Sequence, residues 1–184
     1  MQKKFDKISS EIIDTNPYWV YKHDKYIMPN DAIGDYYYVE TPGSIMVIPK
    51  LNDGRFVLVR QYRYLNQRFS LEFPGGGMKS GISPELNARE ELSQEAGLIT
   101  GNISKIGEFN PFNGVTNEIC NVFIAEDLSE VKSSPDESEE FDVIRLSFNE
   151  INELIRSNEI WDGMTLSAWS LYVFSNFRSN INVI

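Results

Sequence analysis

Residues 75–98 read GGGMKSGISPELNAREELSQEAGL, a glycine run that leads directly into a carboxylate-rich segment. Three consecutive glycines directly after Phe73-Pro74 form a breaker cluster that no regular element is expected to contain. Ser83 then stands as a helix N-cap with Pro84 at the first helical position, and Gly97 is placed to stop the helix, so the spacing predicts a helix over 84–96. On that helix Ala88, Leu92 and Ala96 recur every four residues and define the face turned to the core. Glu91 and Glu95 are also four apart, which puts their Cβ atoms roughly 6 Å from each other on neighbouring turns. They fall beside the apolar stripe rather than opposite it. Two like charges at the rim of a buried face repel unless something positive sits between them.

Upstream, aromatic and β-branched clusters at 18–21, 36–39, 45–48 and 56–59 alternate with Pro29-Asn30, Pro42-Gly43 and Asn52-Asp53-Gly54. This predicts an antiparallel, strand-rich first half in which the last turn closes a hairpin. Downstream, strand-like segments return at 103–109, 120–125 and 143–146, with an acidic, Ser- and Pro-containing loop over 132–140. Phe148, Ile151, Leu154 and Ile155, and then Leu166, Trp169, Leu171, Tyr172 and Val173, carry helical spacing.

A chain of 184 residues can close one sizeable core, so one domain is expected over 1–184, with an N-terminal strand region over about 1–42 and a core over 43–184. A net charge of −10 repels polyanions, which argues against nucleic acid as a partner; a small phosphorylated substrate stays open because divalent cations bridge carboxylates to phosphate oxygens. The lone Cys120 allows no internal disulfide and is read as a core residue in a reducing compartment. Neither a signal peptide nor a membrane span is legible, so a cytoplasmic protein with no membrane partner is expected.

A hard divalent cation suits Glu91 and Glu95, because Mg²⁺ takes oxygen ligands and keeps waters that substrate phosphates replace. The glycines before the helix fit that reading, since backbone without side chains approaches closely and offers a carbonyl to metal or an amide to phosphate. The competing reading is a solvated amphipathic helix with ordinary surface glutamates. For an isolated E-x-x-x-E it is the commoner outcome, and the adjoining glycines are what tip the balance.

The same stretch resembles the Nudix box, written G-x5-E-x7-R-E-U-x-E-E-x-G-U with U aliphatic. Gly76, Glu91, Leu92, Glu95, Gly97 and Leu98 match; Ile82, Glu90 and Gln94 depart from it. Beyond the box, VETPGSIMVIP (39–49), VLVRQYRY (57–64), SLEFPGGG (70–77), GVTNE (114–118) and EIWDGMTLSAW (159–169) resemble segments of the ADP-ribose pyrophosphatase branch, in the same order. The resemblance runs over about 18–177. It implies an α/β/α Nudix sandwich with a mixed sheet and an N-terminal antiparallel strand region that supports a homodimer.

It also implies Mg²⁺-dependent (or Mn²⁺-dependent) hydrolysis of the diphosphate of a small nucleotide sugar such as ADP-ribose, giving nucleoside monophosphate and sugar phosphate. Glu91, Glu95 and the Gly75 carbonyl correspond to metal ligands. Glu139, with Glu140 behind it, corresponds to the carboxylate that accepts the proton of the attacking water. Arg60 and Arg63 correspond to the guanidinium that grips diphosphate, Glu72 and Glu118 to residues at substrate or metal-bound water, and Trp19 to a ring that stacks on the base, with a core or interface aromatic as its plainer reading. Gln94 in place of a glutamate implies weaker binding of one metal. Ile82 and Glu90 imply that both halves of one structural ion pair are gone, with Arg89 the nearest remaining base. His23 reads as isolated among aromatics and without a catalytic role. Asn113, where a proline is common, broadens the expectation from ADP-ribose to nucleoside diphosphate sugars. The alternatives are GDP-mannose or dinucleoside polyphosphate hydrolysis, or a catalytically weak domain that binds its nucleotide as a sensor.

Overall fold

A computed structural model describes residues 4–132 and 140–180, with side chains through residue 175. The chain divides into two compact units: residues to Gly43 together with Asn110–Ile119, and Ser44–Phe109 together with the chain from Cys120 onward.

In the first unit β1 (Lys7–Thr15), β2 (Val20–Ile27) and β3 (Ile33–Glu40) form an antiparallel sheet in chain order. Asn16 closes the β1–β2 turn, its Oδ1 accepting from the Tyr18 and Trp19 amides at 2.8 and 3.1 Å. The 110–119 segment is fastened to the β3 edge, where the Val39 amide donates to the Val115 carbonyl at 2.8 Å and the Thr41 amide to Asn117 Oδ1 at 3.0 Å. β1 was not legible as a strand because all nine of its residues are exposed, so no apolar alternation marks it.

His23 is far from isolated. It lies opposite Glu11 on β1 and opposite Tyr37 on β3. Nδ1 meets Glu11 Oε1 at 2.7 Å, Nε2 meets Asp35 Oδ1 at 2.6 Å, and the ring stacks on Tyr37 at 4.4 Å. One imidazole thus ties all three strands together. A carboxylate at each nitrogen favours the protonated ring: Glu11 first, then Asp35, raises its pKa above the ordinary value.

The second unit is built on β4 (Ser44–Pro49) and β5 (Phe56–Arg63), whose apolar runs are buried on both faces. Alternation splits each run. Ile45, Val47, Val57 and Val59 pack with Ala88, Leu92 and Ala96 of α1 (Pro84–Ala96), whereas Met46, Ile48, Phe56 and Leu58 pack with Ile151 of α2 (Phe148–Arg156) and Ala168, Trp169 and Tyr172 of α3 (Gly163–Asn180). Strands with helices on both faces make an α/β/α sandwich, as continuous apolar strand runs require.

β4 pairs parallel with β9 (Cys120–Glu130) and antiparallel with β7 (Gly75–Gly77), and β8 (Leu98–Phe109) pairs antiparallel with β9. This mixed sheet has the order β7-β4-β9-β8. A second sheet has the order β10-β5-β6, with β6 Arg68–Glu72 and β10 Asp142–Leu146. Asn52-Asp53-Gly54 does turn tightly, but β4 and β5 diverge beyond one bridge, Lys50 with Phe56, and enter different sheets. The expected hairpin is therefore a corner. Cys120 is buried, as expected of a core residue. No helix among the described residues is long and apolar enough to cross a membrane.

Candidate active site

α1 begins and ends where its caps dictate. Ser83 Oγ accepts from the Leu86 amide at 3.2 Å, and Gly97 takes the left-handed φ of 63° that ends the helix. This fixes the helix phase, and with it Glu91 and Glu95. Both are buried, at 8% and 5% exposure, so the reading of them as ordinary surface glutamates is ruled out.

What they face is β7. The glycine run, expected to be irregular, is a strand: Gly75, Gly76 and Gly77 pair with Met46, Ile45 and Ser44. Glycine is required there by close approach rather than by a turn. A Cβ on Gly75 would lie 2.5 Å from the Ile45 carbonyl oxygen, and one on Gly76 would lie 3.0 Å from the Glu91 carboxylate. The Gly75 amide donates to Glu95 Oε2 at 3.1 Å. Buried Asn87 donates to Glu91 Oε1 at 3.3 Å and to the Gly77 carbonyl at 3.4 Å, joining helix and strand.

At the rim, Arg63 of β5 donates Nε to Glu72 Oε1 at 2.8 Å and its fork also meets Glu72 Oε2. Glu72 is buried at the end of β6, four residues before Gly76. The Glu72 carboxylate raises the Arg63 pKa further, and Asp162 and Glu95 add to the same field. Arg63, Glu72, Asp162 and Glu95 thus belong to one charged neighbourhood. Arg60 is a different case, stacked over the Phe69 ring at 4.3 Å on the exposed face of the β5–β6 sheet.

Trp19 and Glu118 belong to the first unit; Trp19 is exposed beside the β1–β2 turn, and Glu118 is half-buried, its amide donating to Thr116 Oγ1 at 3.3 Å. Glu139 lies outside the described residues, and Glu140 is exposed. Arg89 does not replace the lost ion pair: it donates to Glu85 and to the Thr100 carbonyl. Instead Glu90 pairs with Lys79, an ion pair with its own partners that sequence reasoning missed. Burial alone would lower the Lys79 pKa, but Glu91 and Glu90 outweigh it and raise it above its ordinary value. Sequence reasoning also missed Trp161, whose Nε1 donates to the Phe69 carbonyl at 3.2 Å while the Arg68 guanidinium lies 3.6 Å over its ring. Aromatic and arginine are too far apart in the chain for any local pattern to join them.

The donor set fits a hard divalent cation. Among the described residues no three His, Cys, Asp or Glu side chains converge to hold an ion alone. Mg²⁺ does not need such a cage, because it is usually held by one or two carboxylates while substrate phosphates and water complete the shell. Glu91, Glu95 and the Gly75 carbonyl are oxygen donors of that kind.

This fold and helix define a Nudix domain, and the chain belongs to that family: the family described as NUDIX domain matches residues 40–165. Among its relatives, the ADP-ribose pyrophosphatase of Bacillus subtilis is 32% identical over 143 residues, covering 77% of each chain. The GDP-mannose pyrophosphatase of Salmonella typhimurium is 35% identical over 132 residues, covering 67% of this chain and 69% of its own. A crystal structure of an ADP compounds hydrolase superposes with a TM-score of 0.84 at 19% identity, covering 100% of this chain and 99% of that one, a likeness of fold.

Proposed function

We propose that this Nudix pyrophosphohydrolase splits the diphosphate of ADP-ribose or a related nucleoside diphosphate sugar, with Mg²⁺ or Mn²⁺ bound at Glu91, Glu95 and the Gly75 carbonyl. The observation that carries the reading is the pair of buried carboxylates one helical turn apart, facing a strand of three glycines. Burying two like charges costs stability unless positive charge offsets them; of these two, Lys79 meets Glu91, and a divalent cation shared by Glu91 and Glu95 offsets both.

When bound, the cation supplies a low-pKa water and neutralises charge on the phosphoryl oxygens. The chain does the positioning. Gly75 and Asn87 hold the two carboxylates through hydrogen bonds, and the missing Cβ of Gly76 leaves room beside Glu91. Arg63, seated on Glu72, presents a guanidinium whose free N–H groups suit a diphosphate oxygen. Arg60, Glu118 and Trp19 remain assigned to substrate from the resemblance, Trp19 to the base. The overall step consumes one water: its oxygen joins one phosphorus, the bridging P–O bond breaks, and two monoesters result. The water's proton passes to a carboxylate, for which Glu139 is the proposed acceptor. A homodimer is supported by apolar side chains left open on the first unit, including Ile8, Ile12 and Ile33 at 50%, 65% and 63% exposure.

The likeness to a GDP-mannose pyrophosphatase favours a second substrate reading within the same chemistry. A panel of nucleotide sugars with Mg²⁺ and with Mn²⁺, followed by monophosphate release, separates the two. Glu95→Gln is expected to lose at least ~100-fold in turnover, since metal stabilisation is worth several kcal/mol and each ~1.4 kcal/mol is tenfold. Failure of every panel member to yield monophosphate, or full activity in Glu95→Gln, sinks the reading.

A further inference from the structure

Lys79 carries chemistry that the reaction above does not use. Its ammonium meets Glu91 Oε1 at 3.1 Å, Glu90 Oε2 at 3.2 Å and Gln94 Oε1 at 3.4 Å. An ammonium has three N–H donors and no acceptor; here it donates to Glu90 and Gln94 and meets Glu91 as an ion pair, all three on a single stretch of α1. The base of the side chain is anchored too. The Lys79 amide donates to Asn87 Oδ1 at 2.7 Å, and the same Asn87 donates through Nδ2 to Glu91 Oε1. Asn87 is wholly buried, so one rigid side chain sets both the lysine and the carboxylate it neutralises.

We propose that Lys79 is a tethered counter-ion, a positioning residue that holds Glu91 before the divalent cation binds and must give up Glu91 Oε1 for the cation to enter. The proposal rests on the reading of Glu91 as a metal ligand. Glu91 Oε1 already accepts from Asn87 and has the ammonium 3.1 Å away, and a divalent cation brought to the same oxygen is repelled by that charge. The lysine has somewhere to go. Glu90 is exposed and Gln94 half-buried, so both remain as partners after Glu91 is released, and the ammonium is not stranded. Two departures from the Nudix box acquire a reason. An arginine at 90 would repel Lys79, whereas Glu90 holds it. A third carboxylate at 94 would raise the local negative charge, whereas Gln94 contributes an oxygen without charge.

The test is Mn²⁺ binding, read as free Mn²⁺ by electron paramagnetic resonance, alongside thermal melting in EDTA. Lys79→Met, which keeps length and removes charge, is expected to bind Mn²⁺ roughly 3- to 10-fold more tightly than the parent, the range a partly exposed charge pair supports. It should melt lower in EDTA and regain most of the difference when Mn²⁺ saturates. Lys79→Arg, which keeps the charge, should bind Mn²⁺ within about twofold of the parent. Unchanged or weaker binding in Lys79→Met overturns the proposal, as does equally tight binding in both variants, which would make shape rather than charge responsible. If the parent shows no Mn²⁺ binding that Glu95→Gln abolishes, the metal reading falls and this inference falls with it. Glu95-dependent binding with no effect of Lys79 sinks the inference alone.

Discussion

Adjacent glycines of β7 should fail in different ways when given a methyl group. In Gly75→Ala the new Cβ meets the Ile45 carbonyl oxygen at 2.5 Å and Met46 Cα at 3.2 Å. Both are backbone atoms of the central strand, so relief requires β7 to lift from β4 and give up its pairing. Overpacking of that kind costs about 1–3 kcal/mol, and lost pairing puts this site at the upper end. At this chain length each kcal/mol lowers the melting temperature by roughly 2–4 °C, so a drop of about 5–10 °C is expected. In Gly76→Ala the atoms nearest the Cβ all belong to the Glu91 carboxylate, the first at 3.0 Å. A side-chain end can move, so stability should fall by less than ~1 kcal/mol. The movement takes Glu91 away from its place beside β7, and turnover should fall by roughly 10- to 100-fold, as for displaced metal ligands. Thermal unfolding by circular dichroism and monophosphate release measure the two effects. Equal melting losses in both variants, or parental turnover in Gly76→Ala, would refute the close-approach argument.

Further outcomes are expected elsewhere. Because His23 has its pKa raised by Glu11 and Asp35, its contribution to stability is complete below its unfolded pKa of about 6.5 and disappears as pH rises through the higher folded value. The melting temperature of His23→Gln should therefore lack a decline that the parent shows above pH 6.5; parallel profiles would count against the clasp. Leu92→Ala empties a fully buried site and should cost about 2–5 kcal/mol in urea unfolding, whereas Leu86→Ala, at an exposed position of the same helix, should stay within ~0.5 kcal/mol. Arg63→Ala leaves the Glu72 carboxylate with Gln61 Nε2 at 3.4 Å. Breaking a buried pair costs more, but Arg63 is 46% exposed, so about 1–2 kcal/mol is expected, and adding Glu72→Gln should recover most of it. A double variant no more stable than Arg63→Ala would remove the unpaired charge as the cause.

The helix of the Nudix box was legible to the residue. Ser83, Pro84 and Gly97 are local signals, and capping acts within one turn of the chain. The strands of the central sheets were legible as apolar runs, because burial on both faces demands them. The burial of Glu91 and Glu95 was half legible: periodicity placed them at the edge of the apolar stripe, and only the arrival of β7 over that edge removed them from water.

The elements with local causes follow from residue order alone: a capped helix, its apolar face, two carboxylates one turn apart, and buried strands. Tertiary structure alone decided that three glycines become a strand, because their conformation follows from the Ile45 carbonyl pressing against Gly75 and from ladder bonds to β4, not from their own propensity. It decided equally that β4 and β5 part into different sheets, that an exposed β1 is a strand at all, and that His23 and Lys79 each sit among oxygens contributed from elsewhere in the chain. Ladder pairing, close approach and charge neutralisation are pairwise in space, and a linear pattern does not encode which distant residues will meet.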